Sequence, residues 1–181
     1  TLLGTTARGH ALFRKGARVG EGIYVTGTLG DSLAGLQLLT SRHAPRRRTA
    51  LTMIDRDFLI NRHRHPTARV REGLWLNQAQ LASAAIDLSD GLSGDLRHLC
   101  EASRVGADIE LSRLPISPAC RAYANRQKVD PSALALAGGE DYELLFTVAP
   151  RNEHTLERQA RARRFQVTKI GTIRPRRSGL H

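Results

Sequence analysis

Ala84-Ala85-Ile86-Asp87-Leu88-Ser89-Asp90-Gly91-Leu92 joins two different periodicities. Ala84 to Leu88 is a short, largely apolar run that reads as a buried strand. Leu92, Leu96, Leu99 and Ser103 then recur at i, i+4, i+7 and i+11, one face of a helix. Asp87 ends the strand, and Asp90-Gly91 opens the helix. A strand that turns directly into a helix is a building unit of α/β domains.

The alternation continues in both directions. Upstream, Gly22-Ile23-Tyr24-Val25-Thr26-Gly27 is a glycine-bounded strand candidate. Gly30-Asp31-Ser32 follows, and Leu33, Leu36 and Leu39 then fall at helical spacing, with Asp31 or Ser32 able to cap that helix. Residues 41–52 read as a polar arginine loop, and residues 55–62 and 69–82 as helical, broken at Pro66. Downstream, Asp108 to Leu111 is a strand candidate, and helices are expected near 117–126 and 131–137. Tyr142, Leu144, Phe146 and Val148 alternate with Glu143, Leu145 and Thr147, which is strand periodicity. A basic helix over 152–163 and a strand over 166–173 complete the pattern. The expected class is α/β, α+β sandwich-like, with a mixed sheet packed against helices. Strand order does not follow from these patterns.

The bulk composition narrows the function. A length of 181 residues suits one domain, and 40% hydrophobic content can build a core. The formal net charge of +11 comes from arginine, because Lys15, Lys128 and Lys169 are the only lysines. The base is spread over Arg46-Arg47-Arg48, Arg161 to Arg164 and Arg174 to Arg177, as on solvated faces. A single-strand binding platform wants aromatics interleaved with base, and four Phe, three Tyr and one Trp do not supply it. Cys100 and Cys120 are too few for a disulfide scaffold and suit a reducing cytoplasm. No apolar run approaches the roughly 18 residues that cross a bilayer. The chain starts at Thr1 in mid-pattern, and we read it as a piece of a longer polypeptide.

Motifs of several enzyme classes are missing. There is no G-x-x-x-x-G-K-[ST] phosphate loop and no G-x-S-x-G elbow. Gly27, Gly30 and Gly35 do not space as G-x-G-x-x-G. His63-Arg64-His65 and His98 lack metal-ligand partners at useful spacing.

Two constellations remain. Asp87 and Asp90 stand three residues apart across a tight turn, so both carboxylates can enter one space. Magnesium takes hard oxygen ligands, commonly one or two carboxylates together with phosphate oxygens. The following helix amino terminus suits a phosphate, and Ser89 adds a hydroxyl. The plainer alternative is that Asp90 caps the helix while Asp87 merely ends the strand. The second constellation is Gly138-Gly139-Glu140-Asp141-Tyr142-Glu143-Leu144, with three carboxylates behind paired glycines. It could bind a cationic group or a metal, or be a glycine turn with solvated acids.

Taken together the motifs resemble the thiamine-monophosphate kinase family of the aminoimidazole ribotide synthetase superfamily. The resemblance rests on Ala85 to Leu92 and Gly138 to Val148, and on further stretches in the same order. These are Gly9 to Ala17, Ile23 to Leu36, Arg62-His63 through Pro66 and Arg69-Val70, and Leu114-Pro115-Ile116-Ser117. It implies a cytoplasmic homodimer with two α/β domains per subunit, moving the terminal phosphoryl group of ATP onto thiamine monophosphate. It implies Asp87 and Asp90 as Mg²⁺ ligands, Ser89 and Arg14 as ATP contacts, and Glu140 as a contact to the thiamine phosphate. Residues 1–16 would be the end of an amino-terminal ATP-binding domain and connector, and 17–181 a carboxy-terminal domain incomplete at its end. Further metal-binding aspartates and a late substrate-contacting aromatic would lie outside the chain, leaving this piece inactive alone. No protein nucleophile is expected, nor a nucleic-acid or membrane partner. The rival readings are another synthetase or kinase of the superfamily, a basic nucleic-acid module, and an inactive remnant that only dimerises.

Overall fold

The computed structural model describes residues 11–40 and 51–176. The arginine loop expected over 41–52 lies mostly outside the described residues, as does the triplet Arg46-Arg47-Arg48.

Among the described residues five strands make one sheet in the order β2-β4-β1-β5-β3. They are β1 (Gly22–Thr26), β2 (Ala82–Asp87), β3 (Val105–Ile109), β4 (Leu144–Val148) and β5 (Val167–Pro175). The helices are α1 (Asp31–Thr40), α2 (Met53–Arg64), α3 (Val70–Ala79), α4 (Leu92–Ser103), α5 (Pro118–Gln127), α6 (Pro131–Ala137) and α7 (Pro150–Arg163). The class and the helix-backed sheet are as expected, but every pairing is antiparallel. The reason lies in the strand order. β1, β2 and β3 run the same way, as strands joined through helices do. They never become neighbours, because β4 inserts between β2 and β1 and β5 between β1 and β3. The expected third strand ends at Ile109, and Leu111–Arg113 is a short 3-10 turn.

Strand alternation divides the apolar residues between two helical layers. Ile23, Val25, Ala84, Ile86, Leu145 and Ile173 face the larger cluster, with Ala34 of α1, Leu59 of α2, Leu96 and Leu99 of α4, and residues of α5 and α6. Tyr24, Phe146 and Val148 face the other way, onto Trp75 and Leu76 of α3 and Leu156 and Ala160 of α7. The sheet is therefore buried on both sides, which makes the domain a three-layer sandwich. No helix among the described residues is long and apolar enough to cross a membrane.

β2 is an edge strand, and the segment entering the domain covers part of its free edge. Ala85 donates its amide hydrogen to the Phe13 carbonyl at 2.9 Å. Covered edges resist unwanted strand pairing.

α1 and α2 cross at close range, which fixes one wall of the site described below. Gly35 makes this possible, because a methyl group there would run into the Leu59 carbonyl of α2. Gly35→Ala is therefore expected to destabilise the domain by about 2 kcal/mol, the cost typical of overpacking. A lowered urea midpoint would register it, and an unchanged midpoint would contradict the tight crossing.

Candidate functional site

The two acidic constellations are neighbours in space, zipped together along their backbones. Glu140 donates its N–H to the Ser89 carbonyl at 2.8 Å, and Tyr142 donates to the Leu88 carbonyl at 2.9 Å. Leu88 returns an N–H to the Glu143 carbonyl at 2.8 Å. Contact this close needs a residue without a side chain at Gly139, where a Cβ would lie 2.7 Å from the Ser89 oxygen.

The turn from β2 into α4 is not shaped by Asp90 as a cap. Gly91 occupies the cap position. The buried Asp95, in the first turn of α4, reaches back and accepts from the N–H groups of Ser89 and Asp90, both at 3.0 Å. That leaves the side chains of Asp87 and Asp90 exposed, and among the described residues neither enters an ion pair. Asp87 also lines a cavity of about 380 Å³ with Pro66, Ala68, Arg69, Tyr142 and Leu144. Two unengaged carboxylates fit a partial oxygen ligand set for a hard cation. Among the described residues no group of three or more His, Cys, Asp or Glu gathers to hold a metal by itself.

The second constellation alternates between inside and outside. Glu140 and Tyr142 adopt left-handed backbone, φ 63° and 51°, which non-glycine residues rarely do. Both side chains are exposed, while Asp141 and Glu143 between and after them are buried. β4 consequently starts at Leu144, two residues later than the alternation from Tyr142 suggests. Of the three acids only Glu140 is available to a ligand. Its Oε2 lies 3.4 Å from His63 Nδ1.

Asp141 and Glu143 have structural work instead, which reading the sequence did not assign. Asp141 Oδ2 accepts from Gly30 N–H at 2.7 Å, and Oδ1 from Ser32 N–H at 3.1 Å. A carboxylate more than a hundred residues away thus caps α1, in place of the local Asp31 or Ser32 expected. Burial pushes the Asp141 carboxyl up to about 7, against the two amide bonds, with nearby Asp31 adding to the rise. Burial likewise raises Asp31, whose oxygens accept from Thr28 and Ser117 hydroxyls.

Glu143 is fully buried and surrounded by donors. Arg69 approaches with Nε at 2.6 Å and Nη2 at 2.5 Å, Arg62 Nη2 at 2.9 Å and Thr26 Oγ1 at 2.6 Å. Hydrogen bonding to Glu143 raises the Arg69 guanidinium above its ordinary value, although burial pulls the other way. Two of the three arginines in the Arg62-to-Arg69 stretch, Arg62 and Arg69, are therefore committed to holding the loop.

Of the residues singled out from sequence, Asp87, Ser89, Asp90 and Glu140 come together on the zipped loops. Arg14 stands apart, exposed on the segment along the β2 edge, with its carbonyl accepting from Ser103 Oγ at 3.3 Å. Among the described residues no ion pair joins it to the acidic turn.

Comparison with known proteins matches residues 18–180 to the family model described as AIR synthase related protein, C-terminal domain. A thiamine-monophosphate kinase of Escherichia coli O157:H7 is 47% identical over 156 residues, covering 85% of this chain and 45% of that protein. The crystal structure of a thiamine-monophosphate kinase from Stenotrophomonas maltophilia K279a superimposes with a TM-score of 0.85 at 40% identity, over 97% of this chain and 54% of that one. The structure of AaThiL complexed with AMPPCP and TMP gives a TM-score of 0.75 at 35% identity, over 91% of this chain and 48% of that one. The chain spans about half the length of the curated relatives it matches.

Two measurements separate structural acids from available ones. Glu143→Ala leaves two arginines facing an emptied buried site and is expected to cost about 3 kcal/mol. Glu140→Gln, at an exposed position, should change stability by no more than about 0.5 kcal/mol. Equal urea midpoints for the two variants would contradict the division. Asp141 gives a pH signature. Its folded-state pKa is raised from 3.8 to about 7, so the folded protein holds that proton more tightly than the unfolded chain. Its contribution to stability is full below 3.8, falls as pH rises towards about 7, and is then flat. Asp141→Asn should lose that slope, seen by comparing urea unfolding of the two proteins across the window.

Proposed function

The chain belongs to the AIR synthase related protein family, and from that premise we propose that it is the carboxy-terminal portion of a thiamine-monophosphate kinase. The full protein would transfer the terminal phosphoryl group of ATP to thiamine monophosphate, giving ADP and thiamine diphosphate. The observation that carries the reading is the backbone zipper holding Asp87, Ser89 and Asp90 beside Glu140. The relatives named as thiamine-monophosphate kinases, and a structural neighbour complexed with AMPPCP and TMP, support the same choice of nucleotide and substrate.

The chain's residues divide the work by charge. Asp87 and Asp90 would hold Mg²⁺, with further ligands coming from the rest of the protein. Bound there, Mg²⁺ would neutralise phosphate oxygens as charge develops on them. Ser89 would offer its hydroxyl to the nucleotide next to the positive end of α4. Arg14, an exposed and planar donor, would add a phosphate contact from the connector. Glu140 would face the cationic part of the thiamine phosphate. Phosphoryl transfer depends on positioning and charge stabilisation more than on covalent help, so no protein nucleophile is required. The reading carries with it a cytoplasmic homodimer whose partners are small molecules rather than nucleic acid or membrane. Two free, buried cysteines suit that compartment.

The test is formation of thiamine diphosphate by the full-length protein with ATP and magnesium, followed by chromatography. Asp87→Asn and Asp90→Asn should each lower kcat on the order of a hundredfold. The 181 residues alone should give no product. A full-length protein inactive on thiamine monophosphate but active on another superfamily substrate would replace the assignment.

A further inference from the structure

We propose that His63 is a positioning residue for Glu140, holding its carboxylate ready for the cationic substrate; this rests on the reading above of Glu140 as a substrate contact. His63 lies in the last turn of α2, four residues after Leu59. Leu59 and His63 share the face of α2 turned to α1, and Ser32 and Gly35 share the face of α1 turned to α2. The close crossing at Gly35 brings the imidazole to the start of α1. There its Nδ1 is 3.0 Å from Ser32 Oγ and 3.4 Å from Glu140 Oε2. The imidazole is mostly enclosed, its side chain 17% exposed, whereas the Glu140 side chain is 56% exposed.

Glu140 is thus fixed twice, by different means. Its left-handed backbone is held by the hydrogen bond to Ser89. Its side chain has one partner among the described residues, the His63 ring. A carboxylate only accepts, so the nitrogen facing it is the one that carries hydrogen. With that hydrogen in place Nδ1 can only donate, the Ser32 hydroxyl accepts from it, and Ser32 N–H is bound to Asp141, so the ring is braced against a fixed point. Glutamate is among the side chains that lose most rotamer freedom on being ordered. A carboxylate ordered in advance spares the arriving substrate that loss, so the effect belongs to substrate affinity and not to the transfer step.

The full-length kinase provides the test through steady-state kinetics with each substrate varied. His63→Ala should raise KM for thiamine monophosphate about fivefold, the upper worth of one partly exposed contact to a charged group. Its kcat and its KM for ATP should stay within about twofold of wild type. His63→Asn retains an amide N–H near the place of Nδ1 and should recover most of the affinity. In a Glu140→Gln background, His63→Ala should add little. Three results would overturn the proposal: an unchanged KM in His63→Ala, no recovery in His63→Asn, or an undiminished effect without the Glu140 carboxylate. A parallel loss of kcat and of ATP affinity would also overturn it, by marking a general structural role. A wild-type protein with no activity on thiamine monophosphate would instead remove the reading of the site, and this inference with it.

Discussion

The carboxylate of Glu143 has no access to water, and four donors from three parts of the chain converge on it. Thr26 brings the end of β1, Arg62 the last turn of α2, and Arg69 the approach to α3. A buried charge is tolerable only when its lone pairs are met and its sign is balanced. Meeting both conditions draws these elements to one point beneath the Gly138 to Leu144 loop. The same residue's carbonyl accepts from Leu88, so the clamp also fixes where the β2–α4 turn lies. The exposed acids have defined positions because a hidden one is fully satisfied.

That arrangement explains why the chemistry of the two motifs is unequal. At first reading, five acids crowd the two turns, Asp87, Asp90, Glu140, Asp141 and Glu143. Folding withdraws Asp141 to cap α1 and Glu143 to bind arginines, and it leaves three facing outward. The withdrawn pair supports the outward three. Asp141 ties the loop to the start of α1, where Ser32 meets His63, and Glu143 ties it to the sheet. The arginines also become easier to interpret. Arg62 and Arg69 are internal counter-charges, and Arg174 pairs with Asp108 at 2.6 Å, so part of the basic excess is structural.

The strands and helices were largely readable because their periodicities are local. β1, β2 and the helices from Leu92 and Pro131 fall where glycine, proline and apolar spacing put them. Sheet order was not readable, since the insertion of β4 and β5 between earlier strands leaves no local mark. Asp87, Ser89, Asp90 and Glu140 were singled out by residue type and by family resemblance, and the fold places them on neighbouring loops. Asp95 as the organiser of the turn was not, because it sits inside an ordinary amphipathic helix. The inward direction of Asp141 and Glu143 did leave a trace. Continuing the β4 alternation backwards puts both on the side of Leu145, which faces the larger core. The trace is weak because the acids look soluble and their counter-charges lie some seventy to eighty residues upstream, at Arg69 and Arg62.

Loops ordinarily tolerate changes of length, since their residues are interchangeable with solvent. The stretch from Glu140 to Glu143 lacks that freedom. Its residues take turns between solvent and interior, so inserting or deleting a single codon would exchange their environments. Glu140 and Tyr142 would be driven towards the arginines and the α1 amides, and the two interior carboxylates would be turned out. The segment therefore has a fixed length for the same reason a strand in a two-faced sheet has a fixed register.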